Sequence, residues 1–378
     1  MNIGVLTFHD TANFGAALQA FATVEWLRQN GHHAFILDYS NPTRRSIYHP
    51  ATRWRKQLRN GQLPAALLSL AASPLIHRRI QKFNTFYLQH TPRTPQPLPT
   101  RDTLAAYALS CDAILAGSDQ IWNPRNNGLD HAYLLDFVDD PDRTLSYASS
   151  FGAIELPPDQ RADYSRHLSR IRFLSVRERA GADLVRQLTG RTVPTVVDPV
   201  FLLPAETWQN LATETPTIHS GILDYTSKPG MLETFLRTTH LDRTKPAITR
   251  IGTAPRPRDL LAPRISFAGT DGPLQFLARL IKTNLLVTSS FHGTALAILL
   301  RRPFVSILSG NPGRDARITE LLEDLGMTSR IFSPAMTRQH VETLPPFDLA
   351  HERLNERRNQ SIKFLRDALK SIPPRIHA

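Results

Sequence analysis

Apolar residues run almost unbroken from Ile3 to Phe8, and a turn-like HDTANFG follows. Leu18, Phe21, Val24 and Leu27 then recur at the spacing of one helix face. Asn30-Gly31 predicts a helix stop, and Ala34 to Tyr39 reads as the next strand. Strand, helix and strand in that order predict a right-handed parallel crossover. A Pro-rich loop, TPRTPQPLPT, closes a long polar stretch, and CDAILAGSDQIWNP restarts the pattern. There an apolar strand ends in glycine and polar residues. Residues 145–150, 173–176 and 193–197 read as further strands, with helical patterns over 158–172 and 179–189 among them.

A second set begins after VVDPVFLLPAETW, where Pro199, Pro204 and a fresh helix start mark a boundary. GILDY follows the turn-like pair His219-Ser220 and reads as its first strand; ISFAG, NLLVTSS and FVSIL are others. Strands alternating with helices predict an α/β fold with mostly parallel sheets. A chain of 378 residues exceeds one ordinary core. The expected organisation is therefore an N-terminal Rossmann-like domain over 1–203, carrying a helical insert at about 41–100, and a C-terminal Rossmann-like domain over 204–345. Residues 346–378 would form an amphipathic closing helix that packs back on the N-terminal domain.

Composition narrows the class. Hydrophobic residues make 41% and charged residues 21%, as in globular proteins. No apolar run is long enough to span a bilayer. The start, MNIGVLTF, lacks the charged segment and cleavage site of a secretory signal, so a cytoplasmic protein is expected. The single cysteine, Cys111, reads as a buried, inert thiol. Net charge is +12, and residues 41–100 hold ten Lys or Arg and no Asp or Glu. The plain reading of that stretch is a solvated helical insert. The sharper one is contact with an anionic surface, a membrane or an acidic glycan. No nucleic-acid-binding motif accompanies the charge, so nucleic acid is not an expected partner.

Four polar turns share one location, just after apolar strands: HDTANFG, GSDQIWN, SVRE and SSFHG. In open α/β sheets that is where ligands bind. His292 lies at a predicted helix start, where backbone amides and the dipole favour anions. Ser289 or Ser290 would cap that helix, and Gly293 would let a ligand approach the backbone. The alternative is a structural histidine. Arg177 is suited to clamp a carboxylate or phosphate, or else pairs with Glu178 or another acid. Asp119, after Gly117-Ser118, reads as a base, a sugar-hydroxyl acceptor or an N-cap. Trp122 is either core filler or a flat face for a sugar ring. Asn13 and Gly15 stand in the first strand-to-helix turn without a dinucleotide fingerprint. Asp38 ends the second strand, and Asp198 before Pro199 reads as a structural turn. The sequence has no HExxH, Walker loop, G-x-S-x-G or paired cysteines, so no catalytic metal is expected.

FGAALQA, AGSDQIWNP, SYASSFG, SVRERAGADLV, VVDPVFLL and VTSSFHGTALAILLRRPF occur in an order that resembles the polysaccharide pyruvyl transferase family. The resemblance covers roughly residues 1–330. It implies a GT-B-like fold, two Rossmann-like domains facing a cleft, and transfer of a pyruvyl group from phosphoenolpyruvate to a saccharide. The product would be a pyruvate ketal, made for an exopolysaccharide or cell-surface glycan. The resemblance gives His292 the acid role and Arg177 a phosphoenolpyruvate contact. Asp119 would take a hydroxyl proton, with Ser289, Ser290 and Gly293 on the donor and Asn13, Gly15, Ser118 and Trp122 on the acceptor. No cofactor is implied beyond the donor substrate. Other branches carry Arg-x-His-Gly where this chain has Ser290. Either Ser290 with the helix N-terminus, or an arginine elsewhere (Arg301, Arg302 or Arg314), would then hold the phosphate. A lipid-linked acceptor would suit docking of segment 41–100 on the inner membrane face. Two other readings stand beside this one: a GT-B glycosyltransferase with a nucleotide-sugar donor, and a non-catalytic glycan-binding or assembly protein of the same fold.

Overall fold

The computed structural model describes residues 1–39, 50–153, 155–215, 220–244, 246–252 and 264–373. His219 of the expected turn, and Arg44 and Arg45 of the basic stretch, lie outside the described residues. The chain divides into two compact units. The first comprises Met1–His49, Tyr87–Leu203 and Glu356–Ala378; the second comprises Pro50–Phe86 and Pro204–Asn355. The main crossing therefore falls at Leu203/Pro204. Most of the basic stretch, read from sequence as an insert of the first domain, groups instead with the second unit. The closing helix, Phe347–Lys370, contributes its two parts to different units.

The first unit is built on a parallel sheet of β1 (Asn2–Leu6), β2 (His33–Ile36), β3 (Ala113–Ala116) and β4 (Thr144–Ser146), in the order β2-β1-β3-β4. β1, β3 and β4 are almost wholly buried, as parallel strands covered on both faces must be. The helix Phe14–Gln29 follows β1. Asn13 caps it by accepting from the Ala16 amide, and it stops at Asn30, with Gly31 at φ +84. The core packs Leu6, Phe8, Ile114, Trp122, Tyr133, Phe151 and Leu168 together. Chain order reverses direction between β1 and β3, which creates a crevice at their carboxyl ends.

Segments 173–176 and 193–197 extend this sheet only as isolated parallel bridges, at Leu145↔Phe173, Ser149↔Val176 and Val176↔Thr195. For 173–176 the reason lies in serine side chains. Ser175 N donates to Ser146 Oγ, and Ser175 Oγ donates to Ser146 O. Hydroxyls occupy places that backbone groups would take in a continuous ladder.

The second unit holds β5 (Ser220–Tyr225), β6 (Ile248–Arg250), β7 (Ile265–Phe267), β8 (Thr283–Thr288) and β9 (Phe304–Ser306). All are parallel, in the order β7-β6-β5-β8-β9. β6 is a strand that the hydrophobic pattern did not single out, because its three residues, Ile248, Thr249 and Arg250, hold a single apolar side chain. Ile222, Phe235, Leu285, Val287 and Val305 form the core on one face. Here the reversal falls between β5 and β8, so the second crevice lies at the carboxyl ends of those strands.

Candidate functional site

Each unit brings polar residues to its own reversal point. In the second unit, β8 ends at Thr288 and the helix Phe291–Leu299 begins three residues later. Ser290 is the N-cap: its hydroxyl accepts from Gly293 N at 3.3 Å. Ser289 Oγ accepts from Ser227 N at 2.8 Å and lies 3.0 Å from Ser227 Oγ, which ties the loop after β5 to the loop after β8. His292 stands in the first helical turn, 7% exposed, with its ring set edge-on to Phe291. Gly293 is tightly packed against the ends of β8 and β5. A Cβ there would stand 2.7 Å from Thr288 Oγ1 and 3.2 Å from Tyr225 Cδ1.

The loop after β5 is held by charge. Arg250 Nε meets Asp224 Oδ2 at 2.6 Å, both buried, and Asp224 Oδ1 accepts from the Thr226 amide and hydroxyl. Sequence reading missed this pair, since its members are 26 residues apart and meet only through strand pairing. The arginines proposed to replace the one absent at Ser290 separate cleanly. Arg301 and Arg302 follow the C-terminal end of the helix Phe291–Leu299, roughly 13 Å along its axis from His292. Arg301 is occupied by Asp348 at 2.6 Å. Neither belongs with the helix N-terminus. Arg314 is exposed in the first turn of Pro312–Asp324. One turn on, buried Arg317 sets its guanidinium 5.9 Å from the Phe291 ring centre. Its i, i+3 spacing from Arg314 was the available signal.

In the first unit, Arg177 is the hub of a buried ion cluster. Its Nη1 lies 2.7 Å from Asp198 Oδ2, its Nε 3.7 Å from Glu178 Oε2 and its Nη2 4.0 Å from Asp119 Oδ1, with the side chain 2% exposed. Burial alone would lower its pKa, but the charges of Asp198, Glu178 and Asp119 outweigh burial and raise it. Three carboxylates face one guanidinium, so the expected anion clamp is presented to acids of its own unit. Ser118 is fully buried and donates to Asp198 Oδ2 at 3.2 Å. Asp198, read as a turn residue, does cap the short turn Pro199–Phe201, and it also anchors the cluster.

Asp119 differs from its neighbours. It adopts φ +76, a left-handed conformation that costs a non-glycine residue energy, and its side chain is 14% exposed. Its carboxylate accepts from Gln120 N at 2.8 Å. Trp122 is fully buried, donates from Nε1 to Tyr133 O and packs on Phe151 at 5.3 Å. It is core, which removes the sugar-platform reading. Asn13 is the half-exposed cap of the first helix, and Gly15 is buried inside that helix.

Another group at the same sheet end escaped notice. His9, just past β1, places Nε2 2.9 Å from Asp38 Oδ1 and Nδ1 3.0 Å from Thr7 O, and Arg93 reaches Asp38 Oδ2 at 3.6 Å. The signal was present as polar residues at the ends of adjacent parallel strands. Elsewhere, His131, Asp136 and His167 bring ligand atoms within 4.8 Å of one another. Arg101 Nε lies 3.2 Å from both Asp136 oxygens, and Arg166 Nη2 lies 3.5 Å from His167 Nε2. Guanidinium groups thus supply positive charge where a metal ion would have to compete.

The fold has solved relatives. UDP-N-acetylglucosamine 2-epimerase from Rickettsia bellii superposes with a TM-score of 0.54 at 10% identity, over 98% of this chain and 96% of that one. The Neisseria meningitidis UDP-GlcNAc 2-epimerase gives 0.52 at 9%, over 97% and 100%. AviGT4, a glycosyltransferase involved in avilamycin A biosynthesis, gives 0.52 at 9%, over 98% of each. These likenesses establish the GT-B-type α/β fold and nothing about substrate. No curated protein matches the chain in sequence. The family model described as polysaccharide pyruvyl transferase matches residues 13–311, a span that includes the β5/β8 reversal and, in the first unit, every strand but β1, and the chain belongs to that family.

Proposed function

We propose that this transferase moves the pyruvyl group of phosphoenolpyruvate onto two hydroxyls of a saccharide, forming a pyruvate ketal during cytoplasmic synthesis of an exopolysaccharide or cell-surface glycan. The observation that carries the reading is His292 in the first turn of a helix at the β5/β8 reversal, in a chain of this family. A helix N-terminus favours a phosphate. Arg317 beside Phe291 and Arg314 one turn earlier add positive charge, in place of the arginine that other branches carry at Ser290. Ser290 orients the turn by capping it.

The chemistry balances without a redox partner. His292 gives a proton to C3 of the enol, leaving an oxocarbenium-like C2. One sugar hydroxyl adds to C2 and gives up its proton. The C2–O bond to phosphate breaks with its electron pair on phosphate. The second hydroxyl then closes the ketal, and its proton leaves with phosphate. Asp119 is the base, held by its strained backbone and oriented through the Arg177 cluster. Arg177 is then a positioning residue.

Calorimetry with phosphoenolpyruvate, and phosphate release in the presence of acidic cell-surface glycans, test this together. His292→Ala should lower kcat by about 10²–10⁴-fold while donor binding survives. Arg317→Ala should weaken donor binding on the order of tenfold. Near-normal turnover by His292→Ala would refute the acid role. Binding of a nucleotide sugar in place of phosphoenolpyruvate would instead favour a glycosyltransferase. Saccharide binding with no phosphate release from phosphoenolpyruvate would favour a non-catalytic protein.

A further inference from the structure

The helices Pro50–Arg59 and Leu63–Ala71 both carry exposed leucines. A turn at Asn60-Gly61 joins them, with Gly61 at φ +70, Gly61 N donating to Leu58 O and Gln62 N to Gln57 O. In the second helix the small residues Ala66 and Ser69 are buried, at 4% and 7% exposure. Leu63, Leu67 and Leu70 are 55%, 59% and 50% exposed. Their i, i+4, i+7 spacing makes them one stripe. In the first helix Leu58 is 50% exposed. By helical geometry it shares a face with Arg55, three residues earlier, and Arg55 in turn with Arg59, four residues on; both arginines are exposed.

Large apolar side chains in water, with small ones beneath them, mark an interaction surface. The charge says which kind. Residues 41–100 carry ten Lys or Arg and no acid, so the segment that bears the stripe is itself purely cationic. A second copy of this chain would bring those cations together. An anionic bilayer answers both features, with hydrocarbon for the leucines and headgroup charge for the arginines. Among the described residues no helix is long and apolar enough to cross a membrane, so the contact lies on the surface.

We propose that this helical pair docks the protein on an anionic phospholipid bilayer, inserting Leu58, Leu63, Leu67 and Leu70 at the level where Arg55 and Arg59 meet lipid phosphates. The inference is independent of pyruvyl transfer, because lipid binding is read without turnover. Cosedimentation of the full chain with phosphatidylglycerol–phosphatidylcholine vesicles, and with phosphatidylcholine alone, tests it. Wild type should partition onto the anionic vesicles at least about tenfold more strongly, and salt should weaken the binding. Leu63→Ser combined with Leu67→Ser should lower binding about tenfold, as should Arg55→Glu with Arg59→Glu, with unchanged thermal melts. Equal binding to both vesicles would overturn the proposal, and so would wild-type binding by the leucine variant. A dimer in solution that the leucine substitutions dissociate would assign the stripe to a second copy and overturn it as well.

Discussion

Arg177 shows how one side chain can hold a site together without presenting itself to a ligand. Its positive charge is what permits Asp119, Glu178 and Asp198 to share a buried region. Removing one partner of such a cluster leaves uncompensated charge. Arg177→Met should therefore destabilise the fold by about 3–5 kcal/mol in urea titrations. Ser118→Ala, which removes a single hydrogen bond to Asp198, should cost only about 1 kcal/mol. Cys111 makes a second prediction at this scale. Burial pushes its thiol from 9.0 up to about 11, so the folded state prefers the neutral thiol. The associated stabilisation is complete below pH 9 and is lost as pH rises towards 11. The stability–pH curve of Cys111→Ala should be flatter than that of wild type over this interval. The native thiol should also resist alkylation at pH 8 until the chain is unfolded.

At the scale of elements, the joint of β8 with its helix decides how His292 is held. Gly293 lies against Thr288 and Tyr225, and Ser289 is bonded to Ser227 in the next loop. Gly293→Ala should overpack this joint, costing about 1–3 kcal/mol by thermal melting and lowering kcat through displacement of the histidine. Gly31 offers a contrast, since no atom lies near its would-be Cβ and only its φ of +84 resists a side chain. Gly31→Ala should cost about 1 kcal/mol and leave activity unchanged.

At the scale of the whole molecule, the first unit is completed by residues from the far end of the chain. Ser361 Oγ accepts from Val197 N at 3.0 Å, and Leu365, Ala368 and Leu369 are buried. Two buried leucines contribute roughly 3–6 kcal/mol, a large share of ordinary domain stability. Truncation before Glu356 should therefore unfold the first unit, read as red-shifted emission and proteolysis around the buried Trp26 and Trp122.

What the sequence determined was local and periodic. Apolar runs marked the parallel strands, helical spacing marked Phe14–Gln29 and the closing helix, and polar turns after strands marked His292 and Asp119, because these depend on neighbours in the chain. The family, too, was legible, since its motifs are contiguous. Tertiary structure alone decided which charges meet. Arg177 could be a ligand clamp or an ion-pair partner until packing put Asp198 and Asp119 beside it. Trp122 could be a platform until it was enclosed by Phe151 and Tyr133. His9 joined Asp38, and Arg250 joined Asp224, only once parallel pairing brought distant strands side by side. Sheet order also fixed the two reversal points, because strand neighbours are set by long-range burial that no local pattern records.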